Sequence, residues 1–192
     1  MTTWWWIRHG PTHEKSFVGW RDVPADLSDT AQIARLNAHL PDDALLVSSD
    51  LSRCIATADV LAGSRTRLPH AADIREFDFG DWDGLNYEQV MARDPNLSRD
   101  YWDNPGDVAP PNGESWNQAA SRITAYVESI NARHPNRHII AVAHFGAILT
   151  QVQLAGGLTA YQAVSHKIDN LSVTRLQWDG AAWDTGLINH LP

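Results

Sequence analysis

The side chains best suited to chemistry stand at the ends of two mainly apolar runs. Arg8, His9 and Gly10 follow the run 4–7, and His144 follows the run 138–143. Apolar runs of this length, closed by glycine or proline, are typical of strands buried on both faces of a parallel sheet. Ligands of open α/β sheets bind beyond the carboxyl ends of such strands. Arg8, His9 and His144 are therefore predicted to meet at one ligand-binding edge.

Arg53 is a second arginine expected at this edge. It lies in the first turn of a helix predicted to begin at residue 49 or 50 and to end at residue 63. The helix dipole disfavours a cation in this turn, whereas the free backbone N–H groups there bind anions. An arginine is favoured in this place when an anion lies beside it. A solvated surface arginine is the alternative, and the other three side chains at the same edge weigh against it.

The elements that position these side chains alternate between strand and helix. Strands are predicted over 4–7, 44–48, 138–143, 171–178 and 182–189, with a weaker strand over 70–76. Helices are predicted from Ser28 to residue 40, over 49–63, from Ser115 to about residue 134, and over 147–155. Asp179-Gly180 predicts a hairpin turn between the last two strands. This alternation predicts a three-layer α/β/α sandwich whose mostly parallel sheet has an antiparallel edge.

The segment from about 85 to 113 interrupts the pattern. Four prolines, at 95, 105, 110 and 111, lie in it or at its end and break the helical periodicity. We therefore expect one domain over 1–192 with a small insertion lying over the binding edge. The insertion carries Tyr87, Met91, Tyr101 and Trp102, and its acidic residues outnumber its two arginines. Such a wall favours an apolar or ring-bearing ligand and repels a second strong negative charge.

Composition narrows the class of partner. A formal net charge of −8 argues against nonspecific binding to nucleic acid or to a membrane surface. The single cysteine, Cys54, excludes an intramolecular disulfide and a thiolate zinc site. No apolar segment reaches transmembrane length and no leader pattern is present, so a cytoplasmic location is expected. Whether the chain is a monomer or a homodimer stays open.

Five segments, in order, resemble the signature of the histidine phosphatase superfamily, the phosphoglycerate mutase-like enzymes. They are Arg8-His9-Gly10-Pro11-Thr12 and the segments 48–58, 76–84, 111–115 and 143–146. The resemblance runs from residue 4 to about 148. It implies a phosphoglycerate mutase-like fold and an enzyme that acts on a small-molecule phosphate ester with no cofactor. Asp78, Asp81 and Asp83 could mimic a metal cluster, but they lie in the family's carboxylate segment, and no metal is expected.

The resemblance also implies a role for each residue. His9 would attack phosphorus and form a phosphohistidine, while Arg8, Arg53 and His144 bind the phosphate and Glu76 protonates the leaving group. Guanidinium groups suit phosphate because they donate in pairs. The attacking nitrogen of His9 must be neutral, with its other nitrogen held by an acceptor that the sequence does not identify. Strand alternation places Asp78 on the same face as Glu76, so Asp78 is the alternative proton donor.

Further substrate contacts are expected from Gly19, through its backbone N–H, and from Phe145. Lys15 stands where the family often has a phosphate-binding asparagine, and Lys15 or Ser16 could replace it.

Several departures from the family pattern bear on whether the protein is a mutase or a phosphatase. Phe77 follows Glu76, Tyr87 follows Gly-Leu-Asn, and the segment 100–103 replaces an arginine pair that holds the substrate carboxylate in mutases. A mutase must retain a phosphorylated acid and exclude water from its phosphoenzyme. These differences favour a phosphatase, and the segments 75–84 and 111–115 resemble the α-ribazole phosphatases. A phosphoglycerate mutase and a catalytically silent phosphate-binding module are the alternatives.

Overall fold

A six-stranded mixed sheet forms the centre of the computed structural model, which describes residues 1–192. Its strands are β1 (Thr2–Arg8), β2 (Ala44–Ser48), β3 (Thr66–Arg67), β4 (His138–Ala143), β5 (Val173–Trp178) and β6 (Trp183–Thr185). They lie in the order β3-β2-β4-β1-β5-β6. The strands from β3 to β1 pair in parallel, whereas β5 pairs antiparallel with both β1 and β6. The predicted mostly parallel sheet with an antiparallel edge is confirmed.

Helices cover both faces of this sheet. They are α1 (Thr30–His39), α2 (Ser52–Val60), α3 (Tyr87–Arg93), α4 (Pro95–Asp103), α5 (Trp116–Arg133), α6 (Phe145–Gly156) and α7 (Ala160–Val164). On one face, α1 and α2 bury Leu36 and Cys54 against the sheet. On the other face, α5 and α6 bury Ile123 and Ile148 in a larger cluster with Trp4. The three-layer α/β/α sandwich expected from the sequence is therefore confirmed. None of the helices combines the length and the apolar composition that a transmembrane span requires.

Three predictions about strands and a helix cap were wrong in detail. The weak strand over 70–76 is absent: Ala72–Ile74 form a 3-10 turn, and the strand beside β2 is β3. Pro69 has no N–H to give to a ladder, which is consistent with the end of pairing before it. The N-cap of α1 is Asp29 rather than Ser28, because the Asp29 carboxylate accepts from Gln32 N. The strand predicted over 182–189 is also shorter, because β6 ends at Thr185. The N–H of the next residue, Gly186, donates to the Arg175 carbonyl.

The helix after β4 begins two residues earlier than expected, at Phe145. His144 is therefore its N-cap, directly between the end of β4 and the free N–H groups of the first helical turn. The helix after β2 begins at Ser52, so Arg53 lies in its first turn as predicted. These two helix starts and the end of β1 position the candidate site.

Candidate active site

The structure brings the predicted arginines and histidines together at the carboxyl edge of the sheet. Arg8, the last residue of β1, lies opposite Ala143 of β4 in the parallel register. The ring centroids of His9 and His144 are 5.2 Å apart. Arg53 Nε donates to His144 Nδ1 across 3.2 Å. The four side chains thus form one cluster, assembled from the ends of β1 and β4 and the start of α2.

His9 is buried and its ring is oriented by its own neighbour. Nδ1 lies 2.7 Å from the Gly10 carbonyl oxygen, so the ring proton is donated there. This carbonyl is the acceptor that the sequence did not identify, and it leaves Nε2 with a free lone pair. Burial, aided by the charge of Arg53, lowers the pKa of His9 to about 3. The imidazole is therefore neutral at physiological pH, as a nucleophile requires.

A segment just before β5 fixes the side chain and backbone of Arg8 and the backbone of His9. Asn170 Nδ2 donates to the His9 carbonyl oxygen across 2.8 Å. Arg8 Nη1 donates to the Ile168 carbonyl at 2.7 Å, and Leu171 N donates to the Arg8 carbonyl at 2.9 Å. Leu171 is held at φ 60, which is strained for a bulky residue. Sequence analysis missed this segment because it lies outside the five family segments.

The Arg53 guanidinium is fully buried and held from three sides. Its Nη2 donates to the Gly19 carbonyl at 2.7 Å, and its Nη1 donates to the Arg21 carbonyl at 3.0 Å. His144 Nδ1 is its third acceptor. Burial lowers the pKa of Arg53, but arginine remains charged in proteins. A buried guanidinium whose partners are all neutral is poised to pair with an anion.

His144 is also fully buried, and burial is the main cause that holds its pKa well below the usual value. Since Nδ1 accepts from Arg53, the proton of the neutral ring lies on Nε2. Nε2 lies 3.4 Å from the Cys54 sulfur, a weak acceptor. The Nε2 proton therefore has only this weak acceptor within the protein.

Glu76 lies beside the same cluster, next to the start of α6. Its Oε1 accepts from Phe77 N at 3.0 Å, and its Oε2 accepts from Gly146 N at 3.1 Å. Burial raises the pKa of this carboxyl despite both hydrogen bonds. Trp20 Nε1 and Arg122 Nη2 donate to the Glu76 carbonyl oxygen at 2.8 and 3.4 Å, which fixes its backbone. The residue is thus a restrained carboxylic acid with the properties of a proton donor.

The neighbouring aspartates have other partners. Asp78, the alternative proton donor, accepts from Gly80 N at 2.9 Å in a local turn. Asp81 pairs with Arg93, and Asp83 accepts from the backbone N–H groups of Gly19 and Arg21. The geometry therefore favours Glu76, and the three aspartates do not converge on one point.

The other residues predicted to contact substrate, Phe145, Lys15 and Ser16, have different surroundings. Phe145 lies beside Arg8, with the guanidinium carbon 5.5 Å from the ring centroid. Lys15 is exposed and has no polar contact. Ser16 hydrogen-bonds to Glu14 and Arg21.

The Gly19 carbonyl contributes to the site by holding Arg53. The N–H donates to the Asp83 carboxylate at 3.2 Å, whereas the carbonyl accepts from Arg53. A Cβ on Gly19 would lie 2.5 Å from the Phe77 carbonyl oxygen, so only glycine fits. The contact between Gly19 N–H and substrate stays a prediction.

An apolar pocket opens beside Glu76. Residues of the insertion, of the segment 76–79 and of α5, α6 and α7 line it. Its lining residues are Glu76, Phe77, Phe79, Tyr101, Trp102, Pro105, Trp116, Phe145, Gly146 and Val164. Tyr101 and Trp102 of the insertion line this pocket. Tyr87 and Met91 are not part of the lining, and Tyr87 is exposed. No lysine or arginine is part of the lining.

The chain belongs to the histidine phosphatase superfamily (branch 1), whose family model matches residues 4–190. YhfR from Bacillus stearothermophilus is similar in structure, with a TM-score of 0.91 at 25% identity over 100% of this chain and 98% of that one. A mycobacterial glucosyl-3-phosphoglycerate phosphatase gives a TM-score of 0.85 at 26% identity, covering 99% of both chains. The α-ribazole phosphatase from Shigella flexneri shares the fold, with a TM-score of 0.83 at 21% identity over 98% of this chain and 96% of that one. The protein is a phosphatase of this superfamily.

Proposed function

We propose that the protein hydrolyses phosphomonoesters of small molecules through a phosphohistidine at His9, without a metal or cofactor. The orientation of the His9 ring carries the proposal. Its Nδ1 proton is engaged by the Gly10 carbonyl, and Nε2 is neutral and unprotonated among Arg8, Arg53 and His144. A nucleophile, cationic donors for the phosphate oxygens and a buried acid are the parts that phosphoryl transfer requires.

In the first step, the lone pair of His9 Nε2 forms a bond to phosphorus while the bond to the ester oxygen breaks. Arg8, Arg53 and His144 donate to the three equatorial oxygens and stabilise their charge. Protonated Glu76 gives its proton to the departing oxygen, so the organic product leaves as a neutral alcohol. The phosphoryl group stays on His9.

In the second step, water replaces the alcohol. The Glu76 carboxylate, now ionised, takes a proton from water while the water oxygen bonds to phosphorus. The nitrogen–phosphorus bond breaks, its electron pair returns to His9 Nε2, and inorganic phosphate leaves. Glu76 is again protonated, so the cycle closes with no external reagent except water.

The pocket beside Glu76 supports a substrate with an aromatic or ring-bearing organic group, such as a nucleoside-like phosphate. Apolar and aromatic side chains dominate its wall, among them Phe79, Trp102 and Phe145. Asp100 and Asp103 occupy α4, in the segment where mutases carry their arginine pair. An apolar wall without cations disfavours phosphoglycerates and bisphosphates, which carry a second strong negative charge. α-Ribazole phosphate is one candidate among the ring-bearing esters.

A panel of phosphate esters tests this function. We expect kcat/KM for a nucleoside monophosphate or α-ribazole phosphate to exceed that for 3-phosphoglycerate, with activity unchanged by exhaustive chelation. His9→Ala should abolish hydrolysis while leaving the melting temperature near that of the wild type.

The alternatives give different results in the same panel. Isomerisation of 3-phosphoglycerate in preference to its hydrolysis would establish the mutase. Phosphate binding without turnover of any ester would establish the silent module. Loss of activity on chelation would refute a metal-independent mechanism.

A further inference from the structure

The segment that carries Glu76 lies outside every strand and helix of the fold. Ala72–Ile74 form a 3-10 turn, and the residues 75–79 that follow it belong to no regular element. No strand ladder or helical hydrogen bond therefore fixes the Glu76 backbone. The side chains of Trp20 and Arg122 donate to its carbonyl oxygen instead. The proposed proton donor is thus held in place by side chains from distant parts of the chain.

Arg122, in the first half of α5, makes most of these contacts. Its Nη1 donates to the Asp73 carbonyl at 2.7 Å and to the Arg75 carbonyl at 3.3 Å. Its Nη2 donates to the Glu76 carbonyl at 3.4 Å. Its other hydrogen bonds go to the Glu114 carboxylate, so the five N–H donors of the guanidinium match five hydrogen bonds. One side chain therefore fixes three carbonyl groups at and just before Glu76.

Glu114 orients this guanidinium and contacts the residues after Glu76. Its Oε1 accepts from Arg122 Nε at 2.8 Å, and its Oε2 accepts from Nη2 at 2.7 Å. Glu114 Oε2 also accepts from Asp78 N at 3.1 Å, and Glu114 N donates to the Asp78 carbonyl at 2.8 Å. The two charged side chains are only 18% and 15% exposed, so solvent and salt screen this two-point pair less than a surface pair.

Trp20 joins these contacts to the loop that holds Arg53. Its Nε1 donates to the Glu76 carbonyl at 2.8 Å, and the guanidinium carbon of Arg122 lies 5.9 Å from its ring centroid. The preceding residue, Gly19, accepts from Arg53 at 2.7 Å. The contacts of Trp20 and Arg122 thus place the carboxyl of Glu76 relative to the guanidinium proposed to bind phosphate.

We propose that Arg122 is a positioning residue for general acid catalysis, because it fixes the backbone of residues 73–76 and so holds the Glu76 carboxyl at the ester oxygen. The inference rests on the proposed function, which makes Glu76 the proton donor. Arg122 does not line the pocket beside Glu76, so it acts through that residue and not on the substrate. A misplacement of about 1 Å caused by a mutation away from the chemistry can cost about 10²-fold in rate.

Arg122→Lys tests this role, because lysine keeps the positive charge but its single nitrogen cannot span a carboxylate and three carbonyl groups. Arg122→Lys should lower kcat for an alkyl phosphate by about 10- to 10²-fold and for nitrophenyl phosphate by less than about threefold, with KM unchanged. Arg65→Lys is the matched control. The Arg65 side chain is 3% exposed and also donates to backbone carbonyls, those of Leu40, Pro41 and Leu61, which lie outside the site. The control should change the rates on both esters equally.

The double variant Glu76→Gln/Arg122→Lys separates positioning from a general loss of stability. Once the transferable proton is gone, its position no longer matters, so the ratio of the alkyl rate to the nitrophenyl rate should equal that of Glu76→Gln alone. The ratio compares two esters on the same protein, so a smaller folded fraction does not alter it. If Arg122→Lys does not fold, Glu114→Gln replaces it, since it weakens the two-point pair and should lower the same ratio.

Equal losses on both esters in Arg122→Lys would overturn the positioning role, as would a further fall of the ratio in the double variant. If Glu114→Gln is the variant used, an unchanged ratio would overturn it. The failure of the proposed function is a different result: Glu76→Gln would itself lower both rates equally, or His9→Ala would hydrolyse the esters at the wild-type rate.

Discussion

Replacing the proposed proton donor by its amide, Glu76→Gln, removes the transferable proton and preserves the shape of the side chain. The amide oxygen can still accept from Phe77 N, as Oε1 does. The amide nitrogen then faces Gly146 N, a second donor, so the hydrogen bond to Oε2 is lost. The substitution also removes a carboxyl whose ionisation burial disfavours. These two effects on stability oppose each other, and we expect the fold to survive.

The expected loss of activity depends on the leaving group. General acid catalysis contributes about 10²- to 10⁴-fold, or about 3–5 kcal/mol of transition-state stabilisation. An alkoxide is a strong base and needs that proton, whereas a nitrophenolate is stable as an anion. Glu76→Gln should therefore lower kcat for an alkyl phosphate by about 10²- to 10⁴-fold and for nitrophenyl phosphate by less than about tenfold.

Single-turnover rates on the two esters give the comparison, because they isolate the step in which the ester oxygen leaves. Asp78→Asn is the matched control. Its carboxylate caps the Gly80 N–H, and the asparagine side chain can do the same. The control should lose little activity, and equally on both esters. Equal losses on both esters in Glu76→Gln would refute the role of Glu76, and a larger differential loss in Asp78→Asn would transfer that role to Asp78.

Three further predictions concern the groups around His9 and Glu76. Because burial raises the pKa of Glu76, kcat/KM for an alkyl ester should fall as pH rises through that raised pKa. Burial lowers the pKa of His9 to about 3, so protonation of His9 should cause no loss of kcat/KM near pH 6.5. A loss of kcat/KM as pH falls, centred near pH 6.5 and retained in Glu76→Gln, would contradict this. The same raised pKa means that folding stability is lost as pH rises through it, so the melting temperature of Glu76→Gln relative to wild type should increase from pH 4 to pH 7. An unchanged difference would show that Glu76 is not destabilised by ionisation. Asn170→Ala removes the 2.8 Å hydrogen bond to the His9 carbonyl and should lower kcat about tenfold with little change in KM, whereas a change in KM alone would indicate a substrate contact.

The sequence predicted the parts of the site that depend on where strands end. Arg8, His9 and His144 follow apolar runs, and parallel strands bring their carboxyl ends to one edge. Arg53 was predictable because a cation in a first helical turn is unfavourable unless an anion lies nearby. The positions of these four residues thus follow from local pattern and sheet geometry.

The groups that orient these residues could not be predicted in the same way. Asn170 is 161 positions from His9, and no periodicity links the two. The acceptor of the His9 ring is a backbone carbonyl, which every residue carries, so residue type gives no signal for it. The sequence predicts a substrate contact for the Gly19 N–H but gives no signal that its carbonyl holds Arg53. Such contacts depend on loop conformations that residue types alone do not determine.

The position of the insertion in the chain was predictable, but which of its side chains reach the pocket was only partly predictable. Its broken periodicity and prolines indicated a segment apart from the sheet, and Tyr101 and Trp102 do reach the pocket beside Glu76. Tyr87, from the same list of aromatic residues, lies on the exposed face of α3. Which face of a short helix is buried depends on its packing against α4, and seven residues carry too weak a pattern to decide it.

Trapping the phosphoenzyme tests the central claim most directly. The protein would be mixed with a phosphate ester labelled at phosphorus, quenched in alkali within milliseconds, digested and mapped. We expect one labelled peptide, with an acid-labile and alkali-stable phosphoryl group on His9, formed at least as fast as the ester turns over. Turnover with no labelled peptide, or a label on any residue other than His9, would contradict the account.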